Sequence, residues 1–365
     1  MAVNFADKYE KKIAEHFAIK SVVDGRTNRD YDWIGVKSIN IYTPVTQALN
    51  DYRRSGSNRY GEPTELQDTL QEMILTKDRS FSVTIDKGNN SEQEEAKAAN
   101  KMLSLEISEQ TIPEVDKYSL GKYVDGAGAL TLAAAEPTVD TIVQVMGDAM
   151  AAMSNAKVPA DNRFIWIGWS WFAKLRLSSQ FIGNDSLGAN ILKNGALGTF
   201  MGAEVIPVPD DYLKKGTAQC YFLLVRKNSV FQPKKLQDFF IKRDPPGING
   251  DLLEGRIIYD AFVLGTQADG VRAYIASGTQ QAAPTNTYTA ASKTMAVAST
   301  GATAIKYTLD GSDPRYSKTA LVISGASGTV DLTSYAGTTV TFKSVAMDDA
   351  LFTSAVTTTT QAVAA

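Results

Sequence analysis

The chain is poor in the residues on which most protein chemistry depends. Of its 365 residues one is a cysteine, Cys220, and one is a histidine, His16. A single cysteine excludes an intrachain disulfide. Its neighbours Tyr221, Phe222, Leu223, Leu224 and Val225 form an apolar run, which predicts a buried, inert thiol, because a nucleophilic thiol needs an electropositive and partly exposed setting. Any Ser-His-Asp, Cys-His or multi-histidine metal site would have to depend on His16 alone. Neither sign of charge dominates: Lys+Arg number 37 and Asp+Glu 40, a formal net charge of -3. Global attraction to nucleic acid is therefore missing, since phosphates are held by clustered cations. Long apolar runs are missing too. No stretch approaches the ~18 residues of a membrane span, and Met1 to Lys20 carries charges throughout, without the apolar centre of a signal peptide. These absences predict a protein made in a cytoplasm, with no membrane partner.

Catalytic patterns are equally scarce. Gly168-Trp-Ser-Trp-Phe172 resembles the start of a nucleophile elbow but lacks the second glycine and a histidine partner, so Ser170 reads as a helix cap. Gly126-Ala-Gly128 and Gly198 with Gly202 are short glycine spacings without a Walker lysine or a dinucleotide fingerprint. Asp148, Asp210 and Asp211 show no spacing of a paired acid and base. Glu92, Glu94 and Glu95 read as a solvated helix face. Asp310-Gly-Ser-Asp313 lacks the ligand series and terminal glutamate of a calcium loop, and reads as a turn between strands. The residues predict no catalytic set, no cofactor site and no metal site.

What is present is ordinary globular material, 44% hydrophobic and 21% charged, enough for a sizeable core and two to three domains at roughly 100–200 residues each. Asn4 to Lys20 has the spacing of a short amphipathic helix (Phe5, Tyr9, Ile13, Phe17). Asp24 to Asp32 is polar and reads as an extended arm, either mobile or ordering on a neighbouring subunit. A strand is expected at Ile39, Ile41, Tyr42 and Val45, then a polar, arginine-rich excursion with Arg53, Arg54 and Arg59. Phe81, Val83 and Ile85 alternate with polar residues as a half-exposed strand, and the two strands would make an extended hairpin with little core of its own, marginal in isolation. Ser91-x-x-Glu94 is a capping box opening a long amphipathic helix (Ala96, Ala99, Leu103, Ile107) that Pro113 should break or bend. Pro137 would start another helix, followed by a buried strand at Arg163 to Gly168, a helix at Trp169 to Leu177 and a strand at Gln219 to Val225. Further strands are expected at Phe239 to Lys242, Gly255 to Leu264 and Val271 to Ile275. Beyond Ile275 the chain turns rich in Thr, Ala, Ser and Gly and contains no Trp, Cys or His. Gly278 to Pro284 reads as a linker, and about eighty residues of short strands suit a small β-sandwich.

The order of arm, two-stranded excursion, long helix and α+β body resembles the tailed-phage capsid fold, the Hong-Kong-ninety-seven-like fold. The segment Leu187 to Pro207, and Leu253 to Leu264 with Gly270 to Ile275, are similar to recurring stretches of that family. The resemblance implies an α+β chain divided as N-terminal arm 1–36, E-loop hairpin 37–90, spine helix and start of the P-domain 91–123, and A-domain with returning P-domain strands 124–276. A linker 277–285 would lead to an all-β sandwich at 286–365. In the tail, Ile305 to Ser317 is similar to the signature of the chitobiase/hexosaminidase C-terminal module, a non-catalytic immunoglobulin-like sandwich; Tyr307, Asp310, Gly311, Ser312, Asp313 and Pro314 carry that likeness.

The family implies a major capsid protein that self-assembles as hexamers and pentamers into an icosahedral head in the host bacterial cytoplasm. Its partners would be itself, a scaffolding protein and a portal, and it would enclose double-stranded DNA without binding it specifically. A separate scaffolding protein is expected because no long segment precedes the arm. The alternative within the same fold is an encapsulin-like compartment holding protein cargo. The E-loop would lie on the adjacent subunit, with Arg53, Arg54 and Arg59 facing acids such as Glu92, Glu94 and Glu95. The sandwich would sit outside the shell, as a weak glycan-binding module using Tyr288, Tyr307, Tyr316 and Tyr335, or as a spacer. Family members that crosslink use an E-loop lysine, and the only lysines between Ser38 and Asn90 are Lys77 and Lys87, which flank strands. Denatured particles are therefore expected to run as a monomer band on a gel, and a ladder of covalent multimers would contradict this.

Overall fold

The computed structural model describes residues 20–31, 38–46, 48–63, 65–66, 68–88, 98–178 and 198–365. The body of the helix expected over Asn4 to Lys20, with His16, lies outside them. So do the capping box at Ser91, the cluster Glu92, Glu94 and Glu95, and 187–197.

Strands β1 (Ser38–Pro44) and β2 (Asp68–Ile74) precede β3 (Lys77–Asp86). A long helix follows, in which α1 (Ala99–Glu106) passes through a π-turn, Ile107–Thr111, into α2 (Ile112–Asp125). Next come β4 (Ala129–Leu132), α3 (Ile142–Asn155), β5 (Arg163–Gly168), α4 (Trp169–Leu177), β6 (Thr199–Phe200), β7 (Ala203–Val208), β8 (Lys214–Lys215), β9 (Ala218–Arg226) and β10 (Val230–Phe231). They are followed by β11 (Lys234–Arg243), β12 (Gly250–Tyr259), β13 (Phe262–Val263) and β14 (Val271–Ile275). The tail holds β15 (Thr285–Thr289), β16 (Thr294–Ala298), β17 (Ala304–Thr308), β18 (Leu321–Ser324), β19 (Ser327–Asp331), β20 (Thr339–Met347) and β21 (Thr357–Ala362).

A mixed sheet of order β4-β14-β9-β5-β7-β6 forms the centre of the body. Both faces are buried, which is why β5 and β9 read as continuous apolar runs and not as alternating ones. On one face Trp166, Leu223 and Val225 pack with Leu120, Tyr123 and Val124 of α2. On the other, Ile165, Ile167 and Leu224 meet Met146, Met150 and Met153 of α3 and Trp171, Phe172 and Leu175 of α4. Cys220 is fully buried among them, and burial pushes its thiol well above its ordinary value, so it stays protonated and inert. A second sheet, β11-β12-β3, runs alongside the long helix. The tail forms two sheets, β15-β16-β19 and β18-β17-β20-β21, closed around Met295, Ile305, Val330 and Phe342.

Several local expectations are corrected. β1 pairs antiparallel with β2, Ser38 opposite Ile74 and Pro44 opposite Asp68, while the alternating strand β3 joins β12. β2 escaped the sequence reading because Asp68 to Ile74 has no clean period; its buried side chain, Met73, is chosen by the surface beneath it. Pro113 does not end the helix. The wider winding of the π-turn just before it accommodates the missing N–H and the ring. α3 starts at Ile142 and not at Pro137, because the Thr138–Thr141 turn intervenes, with Thr138 N–H donating to Thr141 Oγ1 at 2.9 Å. The strand expected over Gly255 to Leu264 is broken at Asp260-Ala261 into β12 and β13. Ser170 does not cap α4. The Asp210 carboxylate does so from across the fold, accepting from Ser170 N–H at 3.2 Å and from the Ser170 hydroxyl, where the positive helix end favours an anion. Just before the stretch read as an arm, Val22 and Val23 are buried in the body's own core, and within that stretch Asn28 N–H donates to Val230 O at 2.8 Å.

Two buried carboxylates organise these parts. Asp260, 2% exposed, accepts hydrogen bonds from Thr76 N–H (2.8 Å), the Thr76 hydroxyl (2.7 Å), the Tyr118 hydroxyl (2.9 Å) and Ala261 N–H (2.8 Å). It therefore joins the β2–β3 corner, α2 and the β12–β13 corner. Asp116 on α2 accepts from the Ser21 hydroxyl (2.8 Å) and Val22 N–H (2.7 Å), and Trp166 Nε1 donates to Val22 O at 3.1 Å. This holds the arm against the central sheet.

Removing a buried acceptor leaves its donors unsatisfied. Asp260→Ala is expected to lower unfolding stability by roughly 2–4 kcal/mol, with Asp260→Asn milder, as read from denaturant midpoints; wild-type stability in the alanine variant would contradict the junction. Burial raises the Asp116 carboxyl above its ordinary value, opposed by the bonds from Val22 and Ser21. Its contribution to stability is therefore full below the unfolded pKa and lost as pH rises through the folded one. On going from about pH 7 to about pH 4, wild type should gain in melting temperature relative to Asp116→Asn. A flat difference, or one of opposite sign, would remove this assignment.

Candidate assembly surface

The outward-facing feature of the molecule is the β1–β2 hairpin. Its root is seated: Ile41, Met73 and Leu75 pack on Phe231 and Leu264. The Gln71 side chain donates to Val263 O at 2.9 Å and accepts from Gly265 N–H at 2.8 Å. Beyond Pro44 and Asp68 the situation reverses. Every described residue from Val45 to Leu66 except Gly61 is exposed. The exposed set includes Leu49 at 101%, Tyr60 at 84% and Leu66 at 68%. Large apolar side chains grouped on a segment without a core mark a contact surface.

The tip holds its shape through the backbone. Arg53 N–H donates to Arg59 O at 2.9 Å and Gly61 N–H to Asn58 O at 3.0 Å. Gly56 and Gly61 lie at φ 90° and 88°, a region that suits residues without a Cβ. Tyr52 and Tyr60 meet edge to face at 5.1 Å. Of the three arginines singled out from sequence, Arg59 Nε donates to Gly56 O at 3.3 Å. Among the described residues none of Arg53, Arg54 and Arg59 forms an ion pair. Whether Glu92, Glu94 and Glu95 face them is outside the described residues. Sequence reasoning chose the charges of the tip and passed over its apolar residues, although Leu49, Tyr52, Tyr60 and Leu66 stand in a stretch too polar to bury them.

The second sheet and the long helix enclose a cleft of about 340 Å³ lined in part by Arg79, Phe81, Glu114, Phe239 and Tyr259. Two of its charges are paired with each other: Arg79 Nε reaches Glu114 at 2.8 Å, and the Tyr259 hydroxyl donates to the same carboxylate at 3.1 Å. Phe81 and Phe239 stack at 6.0 Å across Gly255, where a Cβ would press on both rings. Among the described residues no group of three or more His, Cys, Asp or Glu could hold a metal ion, and no helix is long and apolar enough to cross a membrane.

The sandwich signature is placed differently from a free surface loop. Tyr307 stacks on Phe342 at 5.4 Å inside the sandwich. Asp310 accepts from Ser312 N–H at 2.9 Å and the Thr319 hydroxyl at 2.7 Å, shaping the turn that contains Gly311, Ser312 and Pro314. Asp313 pairs with Arg315 at 2.8 Å. Tyr288 packs against the sandwich core, and Tyr316 against the core of the body. Three of the four tyrosines expected to stack on sugars are thus committed within the chain, since burying an aromatic ring against apolar neighbours outweighs leaving it wet.

No family model matches the chain, and no curated protein is similar to it in sequence. Solved structures are similar in fold. A structure from Mycobacterium phage Che8 superposes with a TM-score of 0.62 at 17% identity, over 74% of this chain and 96% of that one. The capsid of cyanophage P-SCSP1u gives 0.62 at 12% identity, over 75% and 93%. The capsid of the Myoviridae phage XM1 gives 0.53 at 12% identity, over 75% and 99%. The chain therefore has the fold of phage capsid subunits, with about a quarter of its length beyond what those structures cover.

Proposed function

We propose that this protein is the major capsid protein of a tailed phage, a structural protein of the virion and not an enzyme. Copies assemble as hexamers and pentamers into an icosahedral head around double-stranded DNA. The observation that carries this reading is the capsid fold combined with a hairpin whose apolar tip is exposed among the described residues. In this reading 1–36 is the arm, 37–90 the E-loop, 91–123 the spine and the start of the P-domain, and 124–276 the A-domain with the returning P-domain strands. The remaining quarter, reached through 277–285, is an immunoglobulin-like sandwich at 286–365 on the outside of the shell.

The energetics suit assembly. Leu49, Tyr52, Tyr60 and Leu66 would each contribute about 1.5–3 kcal/mol if fully buried on a second copy. Pairs between Arg53, Arg54 or Arg59 and acids of that copy, Glu92, Glu94 and Glu95 among them, would add ~0–1 kcal/mol each. Closed symmetry repeats every such contact. The near-balanced charge, -3, fits a wall that encloses DNA without gripping it. A scaffolding protein and a portal complete the partner set.

Coexpression with the scaffolding protein is expected to give closed shells in negative stain, and nuclease-protected DNA in particles from infected cells. Protein cargo in place of DNA would point to a compartment of the encapsulin kind. Leu49→Asp with Leu66→Asp should leave folded subunits that no longer close shells, and Arg53→Glu with Arg54→Glu should reduce the yield. Wild-type chains that stay monomeric with scaffold present would overturn the proposal.

A further inference from the structure

The sandwich meets the rest of the chain through two segments. The first is the turn between β17 and β18. Arg315, held by Asp313, donates from Nη1 to Ala127 O at 2.7 Å, and the Tyr316 hydroxyl donates to Gly126 O at 2.7 Å. Gly126 is the C-cap of α2, so these two side chains satisfy carbonyls at the negative end of the long helix, where a cation is favoured. The Tyr316 ring rests on Gly265: a Cβ there would lie 2.7 Å from the tyrosine's own Cβ.

Two residues further on, the same turn grips the hairpin. Ser317 bridges antiparallel to Gln71, and Lys318 N–H donates to Leu70 O at 3.2 Å. The Lys318 ammonium lies 3.2 Å from Asn40 Oδ1 and 3.8 Å from Glu72. The edge of β2 that faces away from β1 is thus taken up by the sandwich. The second segment runs between β20 and β21. Phe352 is fully buried in the core of the body, and Thr353 N–H donates to Asp125 Oδ1 at 3.1 Å while Lys215 pairs with the same carboxylate at 2.7 Å. The stretch read as a linker is tied in as well: Gln281 N–H donates to Phe352 O at 2.9 Å, and Gln281 is 4% exposed.

We infer that the C-terminal sandwich is an intramolecular brace, whose Asp313–Lys318 turn locks the end of the long helix to the edge of the outward hairpin and so sets the direction in which that hairpin leaves the body. Recognition of an outside ligand is not the work of this turn, because its side chains are consumed by the body. The inference concerns the single chain and holds whether or not the shell reading does.

Hydrogen exchange on the full-length chain, before any assembly, tests it. Arg315→Ala and Lys318→Glu should each speed exchange of the hairpin amides at 68–74 roughly tenfold, while amides of β16 and β20 keep wild-type protection. Tyr316→Phe, which loses one hydroxyl bond, should give a smaller change. If Arg315→Ala also strips protection from β16 and β20, Lys318→Glu decides, since it touches only the hairpin side. Wild-type exchange at 68–74 in Lys318→Glu, with the sandwich folded, would overturn the brace.

Discussion

The arrangement hangs on the carboxylate of Asp260. A buried carboxylate is tolerable only when its oxygens are saturated with donors. The donors come from Thr76 at the β2–β3 corner and Tyr118 on the long helix, with Ala261 closing the β12–β13 corner. Those elements have to meet at one point, and that point is the root of the hairpin. Asp116 does the same for the arm, drawing Ser21 and Val22 onto the same helix two residues before Tyr118. Two acids on or against one helix thus fix where both extensions leave the body.

From a seated root the hairpin extends outward with apolar residues that none of the described residues covers. The body buries its own core on both faces of the central sheet, while the described hairpin tip leaves its apolar residues exposed. That combination is what a self-assembling wall requires. In the proposed shell, the contact that a neighbour would supply is held out in a defined direction. The sandwich strengthens this division. It adds no apolar tip of comparable size, and it engages the cap of α2 and the edge of β2 from within the same chain.

Much of the body was legible. The strand Arg163–Gly168, the helix Trp169–Leu177 and the strand Val271–Ile275 run as expected, because apolar runs bounded by glycine or polar turns carry their own boundaries. The α+β character of the chain was also visible. What failed were inferences about which segments of the chain meet one another. Phe81 to Ile85 looked like the mate of β1 because it alternates, but the mate is the irregular β2, selected by the Phe231–Leu264 surface beneath Met73. Ser170 looked like a cap because of its position, while the actual cap is Asp210, forty residues away. The polar stretch 277–285 looked free, but Gln281 is buried through a bond to Phe352.

The sequence by itself determined the periods of the helices and strands, and the change of composition that separates the tail. Those properties are local: each depends on residue type and on neighbours within a few turns or one strand. The tertiary structure alone decided which strands pair, which acids are desolvated and satisfied, and that Arg315 to Lys318 engage the body. Each of these depends on groups far apart in the chain, as Thr76 and Asp260 or Leu70 and Lys318 are, whose contact is an outcome of packing and leaves no mark on either segment alone.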